Sequence, residues 1–315
     1  MEQKKLLKKN ENDNLIQNFD LKQYRKIKKI GEGESGEIYL IENKNNENER
    51  YALKQIQKIN QPEKCQVYKE YQIAQKLKHP FLVKFITFIE DKTDYYFLFE
   101  FCPGGDLHHL IQQNIKLTNS QAKFYAAQIL IVLEYLRKEK IIYRDIKPEN
   151  ILIDENGYVK LADFGVSTQL KMGTEQTGSI IESLENYRPP ESIKGQNYGY
   201  GYDYYQFGCL LYEMLKGDPP FQDDSNFGSN IEEQKIRGKI EFPSNISKEA
   251  QSLITQLLTK DEKKRLQDPE KIKKSKFFKG FKFDQLLNKK LTSPFKPALR
   301  NQNDYIQYFD SVNNI

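Results

Sequence analysis

No run of about 18 apolar residues occurs in this chain of 315 residues, which argues against a membrane-spanning helix. The opening MEQKKLLKKN lacks the apolar stretch of a secretory leader and does not begin Met-Gly, so neither secretion nor N-myristoylation is expected. Cysteine is scarce. Cys65, Cys102 and Cys209 stand far apart, without metal-ligand spacing and without the density of a disulfide framework. They read as reduced, intracellular thiols, and the expected location is cytoplasmic. No internal repeat is visible, and basic residues do not interleave with aromatics in the manner of single-strand binders. The net charge of +5 is modest. Its lysine clusters, Lys4, Lys5, Lys8, Lys9 and Lys273, Lys274, Lys276, read as solvated surface, so no nucleic-acid partner is expected. What is present, 38% hydrophobic and 30% charged residues, is ordinary for a globular chain with one large or two modest cores.

Three regimes follow one another. Residues 1–23 are rich in Lys and Asn, lack periodicity and read as a mobile extension. From Tyr24 to about residue 100 the pattern is short β-type runs. Ile38, Leu40 and then Tyr51 to Lys54 flank an Asn-rich stretch, Asn43 to Asn48, as strands of a hairpin would. From residue 101 to about 281 helical periods dominate. Thr118 and Gln121 fit a capping box, after which Ala122, Tyr125, Ala126, Ile129, Leu133 and Leu136 recur at three- and four-residue steps. Another helix is expected from Asp203, burying Phe207, Leu210, Leu211, Met214 and Leu215, with Gly217 and Pro219 stopping it. Residues 282–315 look irregular and should wrap rather than pack alone. A strand-rich first third joined to a helical remainder implies an α+β chain of two lobes, an arrangement whose clefts commonly hold ligands.

Several motifs bear on chemistry. Gly31-Glu32-Gly33-Glu34-Ser35-Gly36 lies between strand-like runs, and its glycines would let backbone amides approach phosphate oxygens without a Cβ in the way. The β-branched, alternating residues after it favour a loop joining two strands over the helix of a dinucleotide fold. Ala52-Leu53-Lys54 ends the next strand. Glu70, Ile73, Ala74 and Leu77 then share one helical face, so Glu70 points inward and needs a partner, for which Lys54 is the nearest plausible candidate. The stretch Tyr143-Arg144-Asp145-Ile146-Lys147-Pro148-Glu149-Asn150 precedes Asp163-Phe164-Gly165. Between them, Ile151 to Ile153 and Val159 to Leu161 suggest a short hairpin across Asn156-Gly157, bringing Asp163 back beside Asn150.

On these motifs, residues 24–281 resemble the eukaryotic protein kinase domain. Tyr143 before Arg144-Asp145, the stretch His79-Pro80-Phe81-Leu82-Val83 and the stretch from Phe101 to Leu107 look like the AGC group, which includes the cyclic-nucleotide-dependent kinases. Ser293-Pro294-Phe295-Lys296-Pro297 and Tyr308-Phe309-Asp310 look like an AGC tail. The resemblance implies a bilobal kinase fold: N-lobe 24–100, C-lobe 101–281 and a short tail 282–315. It also implies an enzyme that moves the γ-phosphate of ATP, with Mg²⁺, to serine or threonine. Asp145 would accept the hydroxyl proton, Lys147 would face the γ-phosphate, and Asn150 and Asp163 would ligate metal. Lys54, held by Glu70, would meet the α- and β-phosphates under the loop of Gly31, Gly33 and Gly36. Ile38, Ala52, Glu100 to Cys102, Leu152 and Phe309 would hold adenine, with Phe99 behind it. Glu191 would pair with Arg265, and Asp203 would anchor the loop of Asp145.

The resemblance further places Asp106, Glu149 and Glu213 where basic residues upstream of the acceptor are read, so the expected partners are protein substrates of that kind. Val166 after Asp163-Phe164-Gly165 suggests threonine over serine. An upstream activating kinase would modify Thr177 or Ser179. Some residues depart from the pattern: Leu184 stands where the family has a threonine, and no Phe-x-x-Phe follows Tyr308-Phe309-Asp310. They motivate the alternative of a nucleotide-binding pseudokinase or scaffold.

Overall fold

The computed structural model describes residues 19–33, 36–60, 64–171, 173–178, 185–222, 231–299, 305, 308 and 309. Residues 1–18, Glu34, Ser35, Ser179, Leu184 and Asp310, on which expectations were placed, lie outside the described residues. Contacts divide the described chain into two units: the residues up to Tyr71 with Lys84–Phe101, and Gln72–Val83 with the residues from Cys102 onward. No described helix is long and apolar enough to cross a membrane.

The first unit is built on one antiparallel sheet of β1 (Tyr24–Gly33), β2 (Gly36–Asn43), β3 (Asn46–Gln57), β4 (Phe85–Glu90) and β5 (Asp94–Glu100), in the order β1-β2-β3-β5-β4. The glycine-rich motif does join two strands. Gly36 has φ 129°, and a Cβ there would lie 2.3 Å from the carbonyl oxygen of Gln55, so only glycine fits this crossing of backbones. The Asn-rich hairpin forms with a tighter turn than its composition suggested, because Asn43 Oδ1 accepts the amide of Asn45 at 2.9 Å and closes the chain there. Helix α1 (Lys64–Lys76) carries Glu70, Ile73 and Ala74 on its buried face, as its periodicity required. Its Tyr68 and Tyr71 rings lie against Phe88 of β4, 5.8 and 4.8 Å between centroids.

The second unit is helical, with short hairpins. In chain order it holds α2 (Leu107–Asn114), α3 (Asn119–Lys138), β6 (Ile141–Ile142), β7 (Ile151–Ile153), β8 (Val159–Leu161), β9 (Thr168–Gln169), α4 (Pro190–Ile193), α5 (Gly201–Lys216), α6 (Ile231–Arg237), α7 (Lys248–Leu257), α8 (Pro269–Lys273) and α9 (Phe283–Leu287). The capping box of α3 forms as expected. Its apolar residues enter a core shared with Phe207, Leu210, Leu211, Met214 and Leu215 of α5.

Helix α5 starts at Gly201 rather than Asp203. An Asp near a helix start commonly caps it, but the Asp203 carboxylate turns inward to accept two amides of another segment, and the helix begins without a side-chain cap. It ends at Gly217, φ 103°, where a Cβ would sit 2.2 Å from the carbonyl oxygen of Ile115. The β7–β8 hairpin forms with residues 154–158 as its loop, because Asp154 Oδ1 accepts the amides of both Asn156 and Tyr158 at 2.9 Å. The residues after 282 are not wholly irregular: α9 forms, and buries Leu286 in the core of the unit. Beyond α9 the chain wraps, and Ser293 Oγ donates to the Gly157 carbonyl at 2.7 Å.

Candidate active site

In the first unit, Lys54 Nζ lies 2.7 Å from Glu70 Oε1, with side-chain exposures of 5% and 4%. Charges this deeply buried survive only as a pair, since removing either partner strands the other in a poor solvent for ions. The register of β3 against β5 sets Lys54 opposite Phe97 and Ala52 opposite Phe99. Gly31 and Gly33 end β1, and the Ile38 side chain lies beside Gly31, 3.3 Å from where a Cβ would be. Glu100 closes β5, its Oε1 accepting the amide of Lys84 at 2.6 Å.

In the second unit, residues 143–150 form a loop whose backbone is held from below. Asp203 accepts the amides of Tyr143 and Arg144, both at 2.8 Å. Gln206 accepts the amide of Ile146 and donates to the carbonyl of Arg144, both at 3.0 Å. Burial pushes the Asp203 carboxyl up to about 7, against the pull of the two amides. Gln206, absent from the sequence reading, thus supports the loop from one helical turn beyond Asp203. Its sequence signal was its place three residues after Asp203, on the same helical face.

Within the loop, Asn150 Nδ2 donates to Asp145 Oδ2 at 2.6 Å and to the Asp145 carbonyl at 2.9 Å. Lys147 Nζ lies 3.0 Å from Asp145 Oδ2. The Ala162 amide donates to the Asn150 carbonyl at 2.9 Å, so the hairpin returns the chain beside Asn150 one residue before Asp163. Arg144 and Asp163 hold φ of 74° and 52°, a region costly for residues with a Cβ and one where strain accompanies function. Asp163 Oδ1 accepts the amide of Gly165 at 3.0 Å.

Among the described residues no group of three or more His, Cys, Asp or Glu could hold a metal by itself. Asn150 and Asp163 offer a side-chain amide oxygen and a carboxylate, and such a pair fits Mg²⁺, which takes one or two protein oxygens and completes its shell with phosphate and water. With Nδ2 of Asn150 turned to Asp145, its Oδ1 is the atom that could serve, together with the Asp163 carboxylate.

Of the other residues in the sequence reading, Cys102 and Phe309 are buried and Leu152 is half-buried, all in the second unit. Glu191 and Arg265 meet as a buried bidentate pair at 2.6 and 2.8 Å. Asp106 is occupied locally: its Oδ1 accepts the amide of His109 at 2.7 Å and caps α2. Glu213 is buried and accepts the hydroxyl of Tyr187. Burial first, and Glu149 after it, push its carboxyl up to about 7. His108 Nδ1 stands 3.9 Å from Glu149 and 4.0 Å from Glu213, a neighbour that the motifs did not suggest.

The family model for the protein kinase domain matches residues 24–278. Among curated proteins, the chain is similar to a cAMP-dependent protein kinase catalytic subunit of Dictyostelium discoideum, 35% identical over 90% of this chain and 44% of that protein. It is also similar to a RAC family serine/threonine-protein kinase homolog of the same organism, 36% identical over 88% of this chain and 63% of that protein. The human cAMP-dependent protein kinase catalytic subunit PRKX is 31% identical over 91% of this chain and 80% of its own length. The chain therefore spans less than two thirds of the first two relatives. It belongs to the protein kinase domain family, in the AGC group of serine/threonine kinases.

Proposed function

We propose that this chain transfers the γ-phosphate of ATP to serine or threonine of protein substrates, preferring threonine and basic residues upstream of the acceptor. The observation that supports this best is Asp145, ordered by Asn150 and Lys147 on a loop that Asp203 and Gln206 hold rigid. In the reaction the substrate hydroxyl oxygen bonds to the γ-phosphorus as the bond from phosphorus to the β–γ bridging oxygen breaks. The hydroxyl proton passes to the Asp145 carboxylate, and ADP leaves. Lys147 offsets charge on the phosphoryl group. Lys54, aimed by Glu70, meets the α- and β-phosphates, with the amides about Gly31, Gly33 and Gly36 over them. Mg²⁺ held by Asn150 and Asp163 would neutralise phosphate charge. Ile38, Ala52, Glu100, Cys102, Leu152 and Phe309 are proposed to hold adenine.

On this reading residues 24–100, 101–281 and 282–315 are N-lobe, C-lobe and tail, and the protein works in the cytoplasm. Mg²⁺-dependent transfer of labelled γ-phosphate to a basic peptide tests it. No transfer, with retained ATP binding, would leave a nucleotide-binding scaffold. An upstream kinase acting at Thr177 or Ser179 is also proposed. Mass spectrometry of fully active protein with neither residue modified would dismiss it.

The buried acid Glu213 sets a pH dependence. A carboxyl raised to about 7 is neutral below that pH and draws a guanidinium only when ionised. The preference for an arginine-bearing peptide over its alanine counterpart is therefore expected to grow as pH rises through 7. Glu213→Gln should flatten the profile. A preference of the same size at pH 6 and pH 8 in the unaltered protein would remove Glu213 from substrate recognition.

A further inference from the structure

We infer that Tyr198 is a positioning residue that couples the loop of Asp145 to the segment following Asp163-Phe164-Gly165. The inference rests on the kinase reading for its catalytic consequence, though not for its geometry. Tyr198 touches both segments. The Tyr198 hydroxyl takes Nη1 of Arg144 at 3.1 Å, between groups that are 2% and 7% exposed. Its backbone pairs with Thr177 in both directions: the Thr177 amide donates to the Tyr198 carbonyl at 2.8 Å, and the Tyr198 amide donates to the Thr177 carbonyl at 3.0 Å. Its ring lies 4.8 Å from that of Tyr202 in a small apolar cluster with Ile142 and Leu170, against which Val166 packs.

Arg144 is the residue through which this grip reaches Asp145. Its amide is held by Asp203 and its carbonyl by Gln206, and its φ of 74° leaves the peptide little freedom to adjust. Its Nε donates to the Val166 carbonyl at 2.6 Å. The guanidinium is therefore tied to residue 166 directly and to residue 177 through Tyr198. A shift of the segment would move the guanidinium, and through it the peptide that leads into Asp145. A hydroxyl suits the task because it accepts from a guanidinium in a buried place without adding a charge that would itself need a partner. Arg144 is also the group that a phosphate on Thr177 would attract. Tyr198 holds it in the unmodified chain.

Tyr198→Phe keeps the ring and the backbone pair and removes only the hydroxyl. In unmodified protein it is expected to lower kcat roughly tenfold while the KM for ATP stays within about twofold. Arg144→Gln should lower kcat as well, and adding Tyr198→Phe to it should cost little more, because the two groups act as one unit. Full kcat in Tyr198→Phe, or losses that multiply independently in the double variant, would overturn the assignment. Hydrogen exchange provides a readout that does not depend on catalysis. In Tyr198→Phe the amides of Thr177 and of residues 143–145 should both exchange faster, with the melting temperature nearly unchanged. Unaltered exchange at either segment counts against the coupling whether or not the protein transfers phosphate. Absence of transfer in the unaltered protein counts only against the kinase reading.

Discussion

Asp145→Asn is expected to lower kcat by about three orders of magnitude while ATP still binds, because a positioned proton acceptor contributes on the order of 10²–10⁴-fold. The substitution is nearly isosteric. The loop under it is held by Asp203 and Gln206 rather than by Asp145 itself, so its shape should survive. What changes is the atom facing Asn150 and Lys147. A carboxylate oxygen now accepts from Asn150 Nδ2 at 2.6 Å and lies 3.0 Å from the Lys147 ammonium. An amide can offer one acceptor there but cannot take up a proton. Asp163→Asn should also abolish most turnover by a different route, since it would weaken the proposed metal ligand and with it the placing of the phosphates. The two variants therefore separate in binding: Mg²⁺–ATP affinity should be nearly kept in the first and lowered in the second. Steady-state kinetics with calorimetric titration of Mg²⁺–ATP measures both. Turnover by Asp145→Asn equal to that of the unaltered protein would end the assignment of Asp145.

Arg265→Ala is expected to be among the most destabilising single changes in the chain, by about 3–5 kcal/mol, the usual effect of stranding one member of a buried ion pair. The Arg265 side chain is fully buried and Glu191 is 4% exposed. Besides its bidentate contact with Glu191, the guanidinium donates to the carbonyls of Gly201 and Thr259 at 2.8 and 2.9 Å. Its carbon also sits 4.9 Å from the centre of the Tyr205 ring. Removing it leaves a buried carboxylate and unserved carbonyls, and empties space around α5. A fall in melting temperature of roughly 5–8 °C should follow for a chain of this size. Glu191→Gln should cost less, because the amide still accepts from the guanidinium. Thermal denaturation followed by circular dichroism decides the matter, and a change of under about 2 °C for Arg265→Ala would show that the pair contributes little to stability.

Much of the fold was legible because its signals are local. The capping box of α3, the apolar face that carries Glu70 inward, and the β7–β8 runs each depend on residues a few positions apart. The proximity of Asp145, Lys147 and Asn150 was legible for a related reason: they share a short loop, and one hairpin carries the chain back toward Asp163. Backbone geometry over such distances leaves few arrangements, so spacing carries their placement, while the roles proposed for them come from the resemblance to the kinase domain.

The outcome differed at several side chains whose surroundings are set by segments far off in the chain. Asp203 does anchor the loop of Asp145 as the kinase resemblance implied, its carboxylate accepting the amides at 143 and 144, but α5 begins earlier than Asp203 and without a cap. Asp106 was read as a substrate-facing acid, yet it also caps α2. Glu213 sits on the buried side of its helix with Tyr187, and Tyr198 reaches both Arg144 and Thr177. The sequence by itself determined which acids, amides and glycines the protein owns, their order, and the local elements that display them. Only the tertiary structure decided that Asp106 caps α2, that Glu213 turns to Tyr187, and how far the proton affinities of Asp203 and Glu213 move. Desolvation and hydrogen bonding act through space, and the groups that impose them here lie some 60 positions away along the chain.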